Sequence, residues 1–411
     1  MPKGIDETSE ELKIGSRADY NADISSEKLV VATSTKQFSG NKVFYLERPL
    51  VAVVLAAGEG TRMKSSLPKP LHRICGRPMV LHVLDALGQL PLEKVVVVVG
   101  HGLDQVTKVI MAEANANLPI EFVEQATQRG TGDAVSVGLT AMPEHLELDS
   151  DADVIVLPGD APLITPKTIA SLVESHFCGS QVATLLTANV KEPEGYGRIL
   201  RDKHANIVRI VEQSDIVDDS ALINEICTSV YVFKYSVLGP GLRRLIPQNQ
   251  QKEYYLTDIV EVLANAGYQV AAVTAEDPNE AIGVNDKAQL AAAESRLRDR
   301  INNSWMKKGV TIVDPSRCYI DTSVILEEEV ILQPNTILRG KTSVAKFAEI
   351  GPNCELTDCV IGEGAVIKDT VAESSEMRSW SKVGPFAFLS PGTIIEPRAV
   401  TGSFYTDKDL P

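Results

Sequence analysis

A chain of 411 residues is too long for one compact hydrophobic core and indicates two or three domains. Its 40 basic and 55 acidic side chains give a formal net charge of −15, which argues against a general nucleic-acid or anionic-membrane surface. The hydrophobic fraction of 44% is that of an ordinary globular protein, and no apolar run reaches transmembrane length. The six cysteines show no paired zinc spacing, so we expect reduced thiols in a cytoplasmic protein.

The first part of the chain differs in composition from the rest. Residues 1–48 are rich in Ser, Thr, Asp, Glu and Lys and lack hydrophobic periodicity. Such a segment buries too little apolar surface to offset the loss of chain entropy, so we predict a disordered or loosely attached leader. Its best apolar patch is Leu29–Val31, which could form an edge strand at most.

From Leu50 to Asn285 apolar runs alternate with amphipathic stretches. Strands are predicted at Leu50–Ala57, Val95–Val99, Ile120–Val123 and Val154–Leu157. Helices are predicted at Met79–Leu90, at Leu103–Ala114 and from about Gly132. This alternation indicates βαβ units and a Rossmann-like α/β domain with a mainly parallel sheet. Ligands of such sheets bind beyond the carboxyl ends of the strands.

The first strand runs into a glycine turn and a basic loop. Gly58 and Gly60 let the backbone approach a ligand, and successive N–H groups in such a turn form an anion-binding concavity. Between Gly60 and Pro78 every charged side chain is basic: Arg62, Lys64, Lys69, Arg73 and Arg77. The alternative is a tight βα connection without a ligand, because Met63 replaces the third glycine of the dinucleotide fingerprint. In an acidic chain, however, the basic loop predicts phosphate binding.

Two more strand ends carry candidate side chains. The amide of Gln125 offers donors and an acceptor that suit the edge of a nucleobase, although it could be an ordinary strand-end polar residue. Asp160 follows Gly159 at the end of a buried strand. The next helix already has its N-cap and first residue in Thr165-Pro166, so the Asp160 carboxylate is free to bind a hard cation such as Mg²⁺.

These segments resemble a known family. LAAGEGTRM followed by LPKPLH is similar to the signature of nucleotide-sugar pyrophosphorylases, and more narrowly of the N-acetylglucosamine-1-phosphate uridylyltransferases. The resemblance extends over roughly residues 50–404. It implies catalytic roles for Arg62 and Lys69. It also implies a nucleotide site made by Leu55, Ala56, Ala57, Gly58, Gly60, Lys69, Gln125, Gly130, Thr131, Gly159 and Asp160.

The same resemblance assigns the sugar site and the metal ligands. Gly197, within Gly-Tyr-Gly-Arg-Ile, would contact the sugar through its backbone, and Glu212 would accept sugar hydroxyls. Asn285 would ligate the metal with Asp160 and contact the sugar; its alternative role is a plain helix N-cap. Two departures leave the sugar open: Cys227 stands where the family carries an asparagine, and Ser214 where it carries a lysine.

From about residue 310 the pattern changes to period six. Aliphatic residues recur at Leu332, Leu338, Val344, Ile350 and Leu356, and small residues lie four positions after the first four of them. After one step that is a residue short, the same pattern continues through Ile361, Ile367, Val383, Leu389 and Ile395. A period of six fits neither an α-helix nor a globular sandwich. It predicts a short left-handed parallel β-helix of hexapeptide repeats.

The resemblance also bears on assembly and on a second activity. It implies a homotrimer formed through the sides of the β-helix. In two-activity relatives, later coils carry an acetyltransferase site that uses acetyl-CoA. Here the chain stops after fewer coils, and Phe388 and Ser390 replace two arginines of that pattern. Neither residue offers the guanidinium fork that binds phosphate, so we expect acetyl transfer to be absent.

Three functions therefore stay open. The first is Mg²⁺-dependent transfer of uridylyl from UTP to N-acetylglucosamine-1-phosphate; the second is pyrophosphorylase action on another sugar phosphate or nucleotide. The third is a non-catalytic protein that binds nucleotide sugars. The expected parts are a leader (1–48), a nucleotidyltransferase domain (49–285), a linker helix (286–308), a β-helix (309–405) and a tail (406–411).

Overall fold

The computed structural model describes residues 48–100, 103–143, 146, 152–216, 220 and 222–407. The predicted leader, with its strand candidate Leu29–Val31, lies outside these residues except for Arg48, as do the last four residues of the tail. The first eleven strands are β1 (Leu50–Ala56), β2 (Arg73–Ile74), β3 (Arg77–Pro78), β4 (Lys94–Val99), β5 (Ile120–Glu124), β6 (Asp153–Pro158), β7 (Ala183–Asn189), β8 (Arg198–Arg201), β9 (Ile207–Val211), β10 (Glu225–Lys234) and β11 (Val270–Thr274).

The α-helices lie between these strands and after them. They are α1 (Met79–Leu87), α2 (Leu103–Glu113), α3 (Thr131–Gly138), α4 (Pro166–Cys178), α5 (Tyr235–Leu242), α6 (Asp258–Asn265) and α7 (Lys287–Lys307). Thr165 caps α4 as predicted, its side-chain oxygen accepting from the Thr168 N–H, and Pro166 takes the first helical position. At α7 the cap is Asp286, which accepts from the Gln289 N–H. The plain N-cap alternative for Asn285 is therefore wrong.

Within the described part of the chain, nine strands form one sheet in the order β11-β7-β10-β6-β1-β4-β5, with β8 and β9 attached beside β10. The neighbours β6-β1-β4-β5 are all parallel, which confirms the α/β class and its parallel core. β10 runs antiparallel to both β6 and β7. The antiparallel strand was not predicted, because a fully buried apolar strand reads the same in either direction.

The parallel strands are buried on both faces. β1 and β4 are almost fully inaccessible, and alternate residues along them belong to two separate hydrophobic clusters. Helices α1, α2 and α4 cover one face, and α3, α5 and α6 cover the other. This layering leaves the carboxyl ends of β1, β4 and β6 as the open edge on which loops can build a site.

The contiguous stretch 222–407 contains fifteen further strands in three parallel sheets of five. They are β12 (Thr311–Ile312), β13 (Cys318–Ile320), β14 (Ile325–Leu326), β15 (Ile331–Leu332), β16 (Thr336–Arg339), β17 (Ser343–Val344), β18 (Glu349–Ile350), β19 (Cys354–Thr357), β20 (Val360–Ile361), β21 (Val366–Ile367), β22 (Thr370–Glu373), β23 (Glu376–Met377), β24 (Lys382–Val383), β25 (Ala387–Leu389) and β26 (Ile394–Ile395). Every third strand belongs to the same sheet, which defines a parallel β-helix and confirms that prediction.

The period of six marks the residues that fill the β-helix. Leu332, Ile350, Ile367 and Val383 lie in register on β15, β18, β21 and β24, and each is at most 2% exposed. The small residues turn inward as well: Thr336, Thr342, Ala348 and Cys354 are at most 1% exposed. The interior threonine hydroxyls donate to backbone carbonyls, as a buried polar group must.

Helix α7 joins the α/β part to the β-helix. Its Asn302 is fully buried and donates to the carbonyls of Pro315 and Cys318 at 2.8 and 3.0 Å. Ile74, Met79, Leu163 and Val284 of the α/β part share one continuous hydrophobic cluster with the β-helix interior. None of the described helices is both long and apolar enough to cross a membrane.

Candidate functional site

The basic loop begins at the end of β1. Gly60 adopts a left-handed conformation with φ of 63° and opens a short 3-10 turn, Thr61–Met63. A Cβ on Gly60 would lie 2.6 Å from the Lys69 Cβ, so only glycine lets these two parts of the loop touch. Lys69 opens a second 3-10 turn, Lys69–Leu71, which fixes the direction of its side chain.

The Lys69 ammonium is the centre of the site. It forms an ion pair with Asp160 and donates to Oδ1 of Asn285 at 2.8 Å. Arg62 donates to the same oxygen at 2.9 Å. We call Arg62, Lys69, Asp160 and Asn285 the charge cluster. Its members come from the loop after β1, the loop after β6 and the residue before the cap of α7.

Backbone contacts fix the two acceptors of the charge cluster. The Val284 N–H donates to the Asp160 carbonyl at 2.9 Å, which ties the loop after β6 to the segment before α7. A Cβ on Gly283 would lie 3.1 Å from Oδ1 of Asp160, closer than most side chains tolerate. The Asn285 N–H donates to the side chain of Gln289 at 2.7 Å. The sequence analysis assigned no role to Gly283 or Gln289, whose partners are set by the tertiary fold.

The donor set of the charge cluster fits a hard divalent cation. No group of three or more His, Cys, Asp or Glu side chains that could hold a metal occurs within the described residues. Mg²⁺ needs only one or two protein oxygens and completes its shell with water and phosphate oxygens. Asp160 and Asn285 offer a carboxylate and an amide oxygen, and the Lys69 ammonium contacts both of them.

The loop after β5 is held against the loop that precedes α6. Gln125 is 5% exposed, and its amide nitrogen donates to the Gly130 carbonyl and to Asp133 at 3.2 and 2.7 Å. Thr131 accepts from the Leu256 N–H at 2.9 Å. Gly130 has φ of 108°, and a Cβ there would lie 2.6 Å from the Tyr254 carbonyl oxygen. These contacts bring Gln125, Gly130 and Thr131 together at one end of the sheet.

Two residues that the sequence analysis missed support the turn after β1. The side chain of Gln128 donates to the carbonyl of Ala57, one of the residues expected at the nucleotide. A Cβ on Gly100 would lie 2.5 Å from that same oxygen. Beside them, the Gly159 N–H donates to the Leu55 carbonyl at 2.9 Å, so the ends of β1 and β6 meet there. A glycine after a strand is the only sequence signal that pointed to Gly100.

The expected sugar residues lie around β8, β9 and β10. The carbonyl of Gly197 accepts from the Cys227 N–H at 2.8 Å, and a Cβ on Gly197 would lie 3.5 Å from Oε2 of Glu212. Thr257 donates to the other Glu212 oxygen at 2.8 Å. Burial, and next the charge of Asp160, raise the pKa of Tyr196, which adjoins Gly197.

Cys227 differs from its neighbours because its side chain faces the core. It is 4% exposed, and its sulfur lies 3.1 Å from the Tyr231 hydroxyl. Burial raises the pKa of the Cys227 thiol to about 12, so the thiol is neutral at physiological pH. The Cys227 backbone, not its thiol, adjoins Gly197.

Carboxylates crowd together at the start of α6. Burial raises the pKa of Glu212, and the charge of Asp215 adds to the effect. Burial, and then the charges of Glu212, Glu261 and Asp215, together raise the pKa of Asp258 to about 6. Ser214 lies among these groups and donates to Asp215 at 3.2 Å. A lysine at position 214 would neutralise part of this charge.

Comparison with known proteins agrees with this fold and geometry. A MobA-like NTP transferase domain is the family model that matches residues 52–218. The bifunctional protein GlmU of Desulfitobacterium hafniense is 42% identical over 358 residues, which cover 87% of this chain and 76% of the relative. The GlmU proteins of Streptomyces avermitilis and of a Geobacillus species are 42% and 41% identical, over 88% and 87% of this chain and 74% and 75% of theirs.

The parallel sheet, with a glycine turn and the charge cluster at the carboxyl ends of its strands, and the matching family model together identify a nucleotidyltransferase, a class that generally uses a divalent metal ion. The chain belongs to the GlmU family of nucleotide-sugar uridylyltransferases. The match extends into the β-helix, because 358 matched residues in a chain of 411 must reach beyond Thr311.

Asp258 predicts a pH dependence of stability. Its pKa is about 6 in the folded chain against an ordinary value of 3.8, so the folded protein binds the proton more tightly. The contribution of Asp258 protonation to the free energy of unfolding is therefore complete below pH 3.8 and is lost as the pH rises through about 6. Asp258→Asn should raise the thermal unfolding temperature at pH 8, and the gain should vanish toward pH 4.

The exposed carboxylate of Asp202 provides a control of opposite sign. Hydrogen bonds from Asn206 lower the pKa of Asp202, so Asp202→Asn should lower the unfolding temperature at pH 8. Thermal unfolding followed by circular dichroism at several pH values between 4 and 8 measures both. An Asp258→Asn gain that is equal at pH 4 and pH 8 would contradict the assignment.

Proposed function

We propose that this protein is a Mg²⁺-dependent uridylyltransferase that joins UTP and N-acetylglucosamine-1-phosphate to give UDP-N-acetylglucosamine and pyrophosphate. The observation that carries the proposal is the contact of one ammonium, that of Lys69, with both Asp160 and Asn285. A protein that only bound nucleotide sugars would not need a lysine, an arginine and two oxygen ligands at one point.

The reaction needs alignment and charge neutralisation more than a nucleophilic side chain. A phosphate oxygen of the sugar phosphate attacks the α-phosphorus of UTP in line, and the bond to the β-phosphate breaks as pyrophosphate leaves. Both reactants are polyanions, so positive groups must hold them together. Arg62 would bind the triphosphate with the backbone N–H groups of the glycine turn. Lys69 would offset the charge that develops at the α-phosphate.

The metal ligands of this proposal are Asp160 and Asn285. Bound Mg²⁺ would neutralise part of the negative charge of the two substrates. In the present structure the Lys69 ammonium contacts both ligands, so Lys69 has to turn toward phosphate when a metal is held there. Its long flexible stem permits such a rotation.

In this proposal the base and the sugar bind on either side of the charge cluster. Both hydrogen bonds given above for Gln125 use its amide nitrogen, which leaves the amide oxygen to accept from a uracil N–H. Glu212 would accept sugar hydroxyls next to the Gly197 backbone. We also propose that the product supplies cell-envelope polysaccharide synthesis and that the protein is cytoplasmic.

The second candidate is transfer to a sugar phosphate other than N-acetylglucosamine-1-phosphate. Two features favour it: the buried thiol of Cys227 and the carboxylates that surround Ser214. A neutral thiol that faces Tyr231 provides no amide to the sugar. We further propose that acetyl transfer is absent, since Phe388 and Ser390 lack the positive charge expected there.

Replacing Lys69 tests the proposed function. Lys69→Ala should lower kcat on the order of 10²–10³-fold, because one preorganised electrostatic donor is lost. Pyrophosphate release measures the effect, and circular dichroism checks the fold. Lys94→Ala is the matched control. Lys94 pairs with Glu121 near the amino ends of β4 and β5, away from the charge cluster, so its loss should leave turnover within about twofold. Near-normal turnover of Lys69→Ala would contradict the role.

We also propose a homotrimer, with other copies of the chain covering the apolar faces of the β-helix. Tyr319, Val371 and Phe388 are 43–47% exposed on one sheet, and Ile325, Val360 and Ile394 are 49–53% exposed on another. Light scattering after size-exclusion chromatography should give three chain masses of 44.5 kDa each. Changing Val360 and Ile394 together to Lys should lower this mass; a monomeric wild-type protein would contradict the proposal.

A further inference from the structure

A histidine–lysine contact joins the two chain segments that supply Lys69 and Asn285 to the charge cluster. The Nζ of Lys287 lies 3.0 Å from Nδ1 of His72. An ammonium only donates, so Nδ1 must accept, and the ring is neutral with its hydrogen on Nε2. Burial, and then the positive charge of Lys287, lower the pKa of His72, which agrees with a neutral ring. His72 is 5% exposed, so its ring is largely shielded from water.

The contact joins the two segments that supply Lys69 and Asn285. The His72 N–H donates to the Lys69 carbonyl at 3.3 Å and ends the turn that starts at Lys69. Lys287 is the first residue of α7, two positions after Asn285. The two segments therefore contact each other at two points, through Lys69 and Asn285 and through His72 and Lys287.

Lys287 occupies an unfavourable position for a cation. At a helix N-terminus a positive charge opposes the macrodipole, which costs about 0.3–1 kcal/mol. The first turn of α7 contains no acidic residue to offset it. Asp286 already caps the helix through the Gln289 N–H. The contact with His72 is thus the interaction in the structure that gives a lysine at this position a favourable partner.

We propose that His72 and Lys287 are positioning residues, which hold Lys69 and Asn285 at the separation that the nucleotidyl transfer requires. The inference rests on the proposed function, because it assigns these residues to the same reaction. His72 acts through the turn of Lys69, and Lys287 acts through the start of α7. Neither side chain needs to touch a substrate.

Substitution of either partner should affect turnover more than substrate binding. Lys287→Met and His72→Phe should each lower kcat about 10- to 100-fold, because a misplacement of about 1 Å costs up to roughly 10²-fold in rate. The KM for UTP should change less than about threefold, because Arg62 and the glycine turn stay in place. Combining both substitutions should cost no more than either alone, since they break the same contact.

Conservative variants separate positioning from general destabilisation. Lys287→Arg keeps a donor and His72→Asn keeps an acceptor near Nδ1, so both should recover most of the turnover. Lys167→Met is the matched control, since Lys167 lies in the first turn of α4 and pairs with Glu276 on the surface. It should behave like the wild-type protein.

A readout without turnover is nitrogen NMR of histidine-labelled protein. His72 should show a neutral ring with its proton on Nε2, and Lys287→Met should shift its Nδ1 signal. Normal kcat in Lys287→Met with active wild-type protein would overturn the inference alone. The inference would also be overturned if kcat fell only in proportion to a lowered unfolding temperature and Lys287→Arg did not restore it. Inactive wild-type protein would instead contradict the proposed function, and the NMR signal would still test the contact.

Discussion

The meeting of the Lys69 ammonium with the Asp160 carboxylate and the Asn285 amide oxygen is the interaction on which the site depends. Each partner reaches it from a different part of the fold, so the parallel strands, the glycine turn and the start of α7 must all be in place. Opposite charges in direct contact attract strongly where water is partly excluded, and the Lys69 side chain is only 13% exposed. The fold thus brings positive charge and oxygen ligands together before any phosphate arrives.

The β-helix is connected to this site and is not an independent appendage. Helix α7 starts beside Asn285, and further along it Asn302 lies buried among the first β-helix strands. Gly76, in the turn between β2 and β3, lies so close to Asp321 that an added Cβ would be 2.4 Å from its carboxylate. Helix α7 and the turn between β2 and β3 are therefore the two places where the β-helix packs against the segments of the site.

Sequence patterns predicted the parts of this protein that repeat or alternate. The period of six identified Leu332, Ile350 and their equivalents as interior residues, and the apolar runs located β1, β4 and β6. The direction of β10 was not predictable, because burial on both faces removes the alternation that would distinguish strand types. Lys287 and His72 are in contact although they are 215 residues apart in sequence, and no local pattern encodes such a pair. Asn285 was assigned its role by resemblance alone, and that role stays a proposal; in the structure its side chain accepts from Arg62 and Lys69.

The proposed nucleotidyl transfer is best tested by pyrophosphate release from the wild-type protein, measured over a panel of nucleoside triphosphates and sugar-1-phosphates with and without Mg²⁺. Release should require a triphosphate, a sugar-1-phosphate and the divalent ion together, with UTP preferred among the nucleotides. A sugar other than N-acetylglucosamine in the best pair would favour the second candidate and leave the charge cluster in its role. Release that is unaffected by removal of the metal, or no release with any pair, would contradict the account.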